Sequence, residues 1–218
     1  MRKLFLLSRY KEDFNWIKEY TDDYIIYNKG TLINNDSHVF NTENVGCNQR
    51  DIFDYVSTNY NNLPDIMIFI QCYPWDHCKK EVFDKLINNT EFTSLEYYGS
   101  VPANDWEGRT SDAQFLEINN SWYISQENNK RNQTCKYSSF DEFMNCYFEN
   151  YEHLEWVRFA PGSQYLVPKE NFLKYPKKFW GCLMNELNTK NPTEGYIIER
   201  ALWYILSNTY SLRKEFYG

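Results

Sequence analysis

The chain has 218 residues, which fits one domain with a substantial core, or at most a domain with a small appendage. Its formal net charge of −7 argues against a dedicated nucleic-acid or anionic-membrane binder, which carries a broad basic face. No run approaches the roughly 18–20 apolar residues of a membrane span. A small anionic ligand stays open, because two or three local cations suffice for a diphosphate.

Apolar residues make up only 42% of the chain, but aromatics reach 19%, with 19 Tyr, 15 Phe and 7 Trp. Tyr and Trp bury large faces while keeping a polar tip, so the core exceeds what the apolar fraction suggests. The same rings suit stacking on sugars or bases. Six cysteines are scattered without a Cys-x-x-Cys pair, which points to reduced, structural thiols in a cytoplasmic protein. The opening Met1, Arg2 and Lys3, followed by four apolar residues, is too short for a signal peptide and reads as a first core strand.

In chain order, residues 4–8 read as a buried strand, and residues 10–20 as a helix with Phe14, Ile17 and Tyr20 on one face. Residues 24–27 form a second strand, closed by Asn28, Lys29 and Gly30, a turn signal. After a polar stretch, residues 48–60 carry Ile52, Phe53, Val56 and Tyr60 at helical spacing. The clearest signal is the run Ile66, Met67, Ile68, Phe69, Ile70 between Asp65 and Gln71, which suits a central strand covered on both faces. Residues 79–87 look helical. Between 90 and 135 there is little periodicity, with strands near 115–118 and 122–124. Helices follow at 140–151, 169–175, 179–187 and 196–206, with a short strand at 165–167. This alternation predicts an α/β single domain, a mostly parallel, Rossmann-type sheet flanked by helices. Ligands of such sheets bind at the carboxyl ends of the strands. Those ends carry Ser8 and Arg9, then Asn28 to Gly30, then the polar loop from Gln71 to His77.

That loop combines an amide, a carboxylate (Asp76), an imidazole (His77), thiols and aromatics. It reads either as a ligand-contacting loop or as a well-packed one; a metal site on Asp76 and His77 would need distant ligands. Glu199 and Arg200 lie inside the apolar C-terminal helix, flanked by Ile198, Ala201, Leu202 and Ile205. Buried charges need partners, so the two are either a structural ion-pair group or a general base and a phosphate clamp. Arg9 and Lys29 either face a diphosphate or are solvated charges. No glycine-rich phosphate loop and no G-x-S-x-G elbow occurs, which disfavours a Walker ATPase, an ordinary dinucleotide enzyme and an α/β-hydrolase. Asp105, Trp106 and Glu107 only loosely match the acidic triplet with which many sugar transferases hold a divalent ion.

The ordered set Ser8, Arg9, Tyr10, Glu12, Asp13 and Trp16, then Tyr27 to Gly30, then Asn44, Val45 and Gly46, resembles an uncharacterised domain-of-unknown-function family. The likeness continues through Tyr60, Leu63 to Asp65, Phe69, Gln71, Pro74 and His77, then Gly162 to Tyr165 with Val167, and Glu199, Arg200 and Trp203. That family is similar in layout to GT-A glycosyltransferases, with a nucleotide-sugar half (residues 1–90) and an acceptor half (residues 91–218). The mechanistic parallel is with branching N-acetylglucosaminyltransferases that work without a metal.

What the resemblance implies is a glycosyltransferase in which Glu199 is the general base of an inverting displacement. Arg200, Arg9 and Lys29 would neutralise the leaving diphosphate. Asn44 and Gly46 would lie near the nucleotide, Gln71, Asp76 and His77 near the donor sugar, and Tyr10, Asn28 and Gln164 would be further substrate-binding residues. The expected partners are a nucleotide-sugar donor and a glycan or glycoconjugate acceptor. Metal-independence is favoured, with manganese or magnesium as the alternative. The chain departs from the family pattern at Cys47, where the resemblance leads one to expect Arg or another polar residue. A non-catalytic carbohydrate-binding or assembly protein is the competing reading, and a metal-dependent hydrolase a third.

Overall fold

The computed structural model describes residues 1–99, 105–119 and 135–217. The strands, in chain order, begin with β1 (Lys3–Arg9), β2 (Tyr24–Asn28), β3 (Val39–Asn41), β4 (Ile66–Gln71) and β5 (Thr93–Ser94). Then β6 (Glu107–Arg109), β7 (Phe115–Ile118) and β8 (Trp156–Arg158) form a separate antiparallel sheet, and β9 (Tyr165–Pro168) returns to the first. The helices are α1 (Asn48–Asn59), α2 (Lys80–Leu86), α3 (Phe140–Tyr147), α4 (Lys169–Leu173), α5 (Lys177–Glu186) and α6 (Glu194–Ser207).

The main sheet has the order β3, β2, β1, β4, β9, β5. Its first four strands run parallel, and β9 is antiparallel to both β4 and β5. The expected mostly parallel sheet is therefore present, with one reversed strand that periodicity does not reveal.

Side chains alternate across a strand, and here both alternating sets are buried. Leu4, Leu6, Met67 and Phe69 pack with Ile52, Val56, Trp180, Ile198 and Leu202 of α1, α5 and α6. Phe5, Leu7, Ile66, Ile68 and Ile70 face the other way, onto Ile17 and Phe83. This double coverage is why β1 and β4 read as continuous apolar runs rather than alternating ones.

The helix expected over 10–20 is instead a loop with a short 3-10 helix, Asn15–Glu19. Local side chains compete for its amides: Glu12 Oε2 accepts from Tyr10 and Lys11 N–H, and Asp13 Oδ1 accepts from Asn15 N–H. Only Ile17 in that span is fully buried, so too little apolar face exists to enforce a helix. α3 stops at Tyr147, short of the expected 151, because Phe148 turns extended and bridges Leu212. The strand expected near 122–124 lies outside the described residues. No helix among the described residues is long and apolar enough to cross a membrane.

Candidate functional site

The strand order reverses on either side of β1, so a crevice opens between the carboxyl ends of β1 and β4, the usual ligand position in such sheets. A cavity of about 340 Å³ lies there, lined by Ser8, Arg9 and Tyr10 after β1, Lys29 after β2, and Gln71, Tyr73 and Asp76 after β4. Asn44, Gly46, Cys47 and Asn48 close its side where α1 begins. Gly46 takes a φ of +62° there, and a Cβ would fall 2.6 Å from the Arg50 side chain and 2.7 Å from Leu187 O. Only glycine fits that turn without strain.

Arg9 is held in place from several sides. Its Nε donates to Glu12 O at 2.8 Å and its Nη1 to Asn28 Oδ1 at 2.6 Å, and the guanidinium lies over Phe14. Nη2 has no hydrogen-bond partner among the described residues. Asn28 is 1% exposed and outside the cavity lining. Its amide donates to Thr31 O and Asn41 Oδ1, so it positions Arg9 rather than meeting a ligand. Gly30 permits the same loop to close: a Cβ would fall 1.5 Å from Tyr10 O.

Lys29 is buried rather than solvated, at 8% side-chain exposure. Its ammonium donates to Val45 O and Cys47 O at 3.2 and 3.0 Å and pairs with Asp51 Oδ1 at 3.0 Å. It ties the cavity's 45–47 wall to α1. Asp51 also accepts from Ser8 Oγ at 2.6 Å. Burial pushes the Asp51 carboxyl up to about 6, against the pull of Lys29 and Ser8.

Glu199 lines a second cavity of about 280 Å³, with Tyr98, Trp106, Glu107, Phe115, Phe159 and Tyr196. Its carboxylate is 17% exposed and accepts the Gly162 N–H at 2.7 Å. Burial raises its pKa above the ordinary carboxylate value, opposed by Arg200 and by the Gly162 N–H. Arg200 also lines this cavity, with Nη1 3.5 Å from Glu199 Oε2, but its closer partners are others. Its Nε and Nη2 lie 2.6 and 2.5 Å from Glu117 Oε2, its Nη1 donates to Tyr196 O at 2.8 Å, and Phe159 covers its face. Arg200 does not line the first cavity, so it stands apart from Arg9 and Lys29.

A third cavity, of about 360 Å³, shares Asp76 with the first and Tyr98 with the second. His77 lies in it, with Nδ1 3.2 Å from the Tyr98 hydroxyl. Burial lowers the His77 pKa, which favours the neutral ring. Gln164 is fully buried and outside all three cavities; its amide donates to Pro74 O and Leu95 O, bracing the loop after β4.

Gly162 lines none of the cavities but touches lining residues of all three. Its φ is +76°, its Cα packs against the Gln71 and His77 side chains, its carbonyl accepts from Asn48 Nδ2, and its N–H holds Glu199. Sequence reasoning did not single out Asn48, Asp51, Glu117 or Tyr98. Glu117 carried a signal: it shares a strand face with the buried Phe115, so a charge there required a buried cation. Among the described residues no group of three or more His, Cys, Asp or Glu is placed to hold a metal ion. Comparisons with protein-family models, curated proteins and solved structures give no match.

Proposed function

We propose that the chain is a glycosyltransferase that moves a sugar from a nucleotide-sugar donor to a glycan or glycoconjugate acceptor, with Glu199 as general base. The observation that carries this reading is the Glu199 carboxylate, desolvated, oriented by one backbone N–H, and facing a cavity that shares a wall residue, Tyr98, with the cavity beside the strand-switch crevice. A base with a raised pKa is suited to taking a hydroxyl proton near neutral pH.

The first cavity supports the donor assignment. Arg9 and the N-terminal end of α1 both favour a diphosphate there. In the displacement, the acceptor oxygen forms a bond to the donor's anomeric carbon as the bond from that carbon to the diphosphate oxygen breaks. Glu199 takes the hydroxyl proton, and the electron pair leaves with the nucleoside diphosphate.

Titration with UDP- and GDP-sugars, with and without manganese, tests the reading. Saturable binding is expected; no binding to any member of the panel sinks it. The non-catalytic reading draws on the buried pairing of Arg200 with Glu117, which a purely structural cluster would also show. It predicts glycan binding with no nucleotide dependence.

A further inference from the structure

The second cavity differs from the first in its walls: aromatic rings surround it. In the first cavity Glu12 and Asp76 balance Arg9 and Lys29, whereas in the second the carboxylates, Glu107 and Glu199, outnumber the one lining cation among the described residues, Arg200. Its sides are Tyr98, Trp106, Phe115, Phe159 and Tyr196, so it presents aromatic faces around a small space. Two carboxylates open into it, Glu107 at 15% and Glu199 at 17% side-chain exposure. Both nearby guanidiniums are already engaged. Arg109 pairs with Glu107 at 3.4 Å, donates to Gly108 O at 2.7 Å, and lies over the Tyr98 and Phe115 rings. Arg200 lines the cavity, but it is bound to Glu117 and Tyr196 O, lies 3.5 Å from Glu199 and is covered by Phe159.

An anion entering this cavity would meet two carboxylates, the electron-rich faces of aromatic rings, and the Arg200 cation, already committed to Glu117, Tyr196 O and Glu199. Like charges brought together in a desolvated site are a strong discriminator. A neutral sugar ring meets neither penalty. Its C–H face can lie on an aromatic ring, and its hydroxyls can donate to Glu107 and Glu199. The volume, about 280 Å³, lies at the lower bound of drug-sized sites and suits one terminal ring rather than a stretch of polymer.

We propose that the second cavity is the acceptor subsite, and that it selects a terminal neutral sugar over one bearing a phosphate or a carboxylate. This rests on the transferase reading of Glu199 for the word acceptor, but the binding preference is measurable without any transfer. The experiment is a tryptophan-fluorescence titration of the full chain, without nucleotide, using cellobiose, maltose, lactose and chitobiose. Each is paired with a counterpart carrying a 6-phosphate or a uronic carboxylate.

At least one neutral disaccharide is expected to bind saturably and roughly tenfold or more tighter than its anionic counterpart. Trp106→Ala should weaken that binding about tenfold while leaving nucleoside-diphosphate binding in the first cavity unchanged. Glu107→Gln, which removes a charge and releases Arg109, should bring the neutral-to-anionic ratio towards one. Equal or tighter binding of the anionic partners overturns the proposal, as does no response to any neutral disaccharide. Sugar binding with no nucleotide-sugar binding instead sinks the transferase reading while leaving this cavity a neutral-sugar site.

Discussion

The Gly162 N–H donates to Glu199 Oε1 at 2.7 Å, while the same residue's carbonyl accepts from Asn48 at the start of α1. One peptide segment therefore fixes the candidate base and also touches the wall of the neighbouring crevice. Gly162→Ala must place a Cβ at a φ of +76°, 3.0 Å from the Gln71 amide. The left-handed backbone alone costs about 1–2 kcal/mol. Denaturant midpoints should fall accordingly. Asn48→Ala removes one hydrogen bond, about 1 kcal/mol, and should move the pH midpoint of transfer. A midpoint identical to wild type would show that Glu199 is insensitive to Asn48.

Glu199→Gln keeps an oxygen for the Gly162 N–H and removes a desolvated charge. Stability is expected to stay within about 1 kcal/mol of wild type. Transfer should fall roughly 100- to 10,000-fold, the usual contribution of a general base, with nucleotide-sugar affinity retained. In wild type the rate should rise with pH through a value above the ordinary carboxylate range, since burial favours the protonated acid. Unimpaired transfer in the variant would remove Glu199 from the chemistry.

Asp51 gives a pH signature in stability. Its folded pKa, about 6, lies above the ordinary 3.8, so the fold binds this proton more tightly than the unfolded chain does. The associated stabilisation is complete below the ordinary value and is lost as pH rises through about 6. Its size is about 3 kcal/mol. Urea unfolding between about pH 4 and pH 8 should show the advantage of wild type over Asp51→Asn shrinking as pH rises. A constant difference would place the Asp51 titration at its ordinary value.

Arg9→Ala should weaken nucleoside-diphosphate binding about tenfold and flatten its salt dependence. Arg9→Lys keeps the charge but loses the fork to Asn28 and Glu12 O, and is expected to fall between the two. Calorimetry at two salt concentrations reads both effects. Equal affinity in all three proteins would move the diphosphate away from β1.

What was legible in the sequence was what periodicity and burial encode. β4 shows as five apolar residues, and α1 shows through Ile52 and Val56. The clustering of Arg9, Lys29 and Gln71 follows from strand ends alone. What could not be read was which polar atoms meet. Lys29 looked like a ligand contact or a surface charge, and it is a buried tie between Asp51 and two carbonyls. Asn28 and Gln164 sit in ligand-rich motifs yet spend their amides on backbone and side-chain partners within the fold. The 10–20 segment had a helical period, but capping side chains decided its conformation.

The reversal of β9 has a consequence for how the molecule is assembled. Because β9 runs against β4, the peptide entering it, not the one leaving it, reaches the rim where β1 and β4 end. Gly162 thus meets Asn48 across 114 positions of chain, and Glu199 follows a further 37 along. Such long closures are slow relative to local helix formation. During synthesis the strands of the first crevice emerge early, whereas the proposed base and its backbone clamp arrive only in the last third of the chain. A nascent or truncated chain ending before β8 would therefore keep the pieces of the first cavity that precede it and lack both Glu199, the proposed base, and Gly162, the residue that holds it.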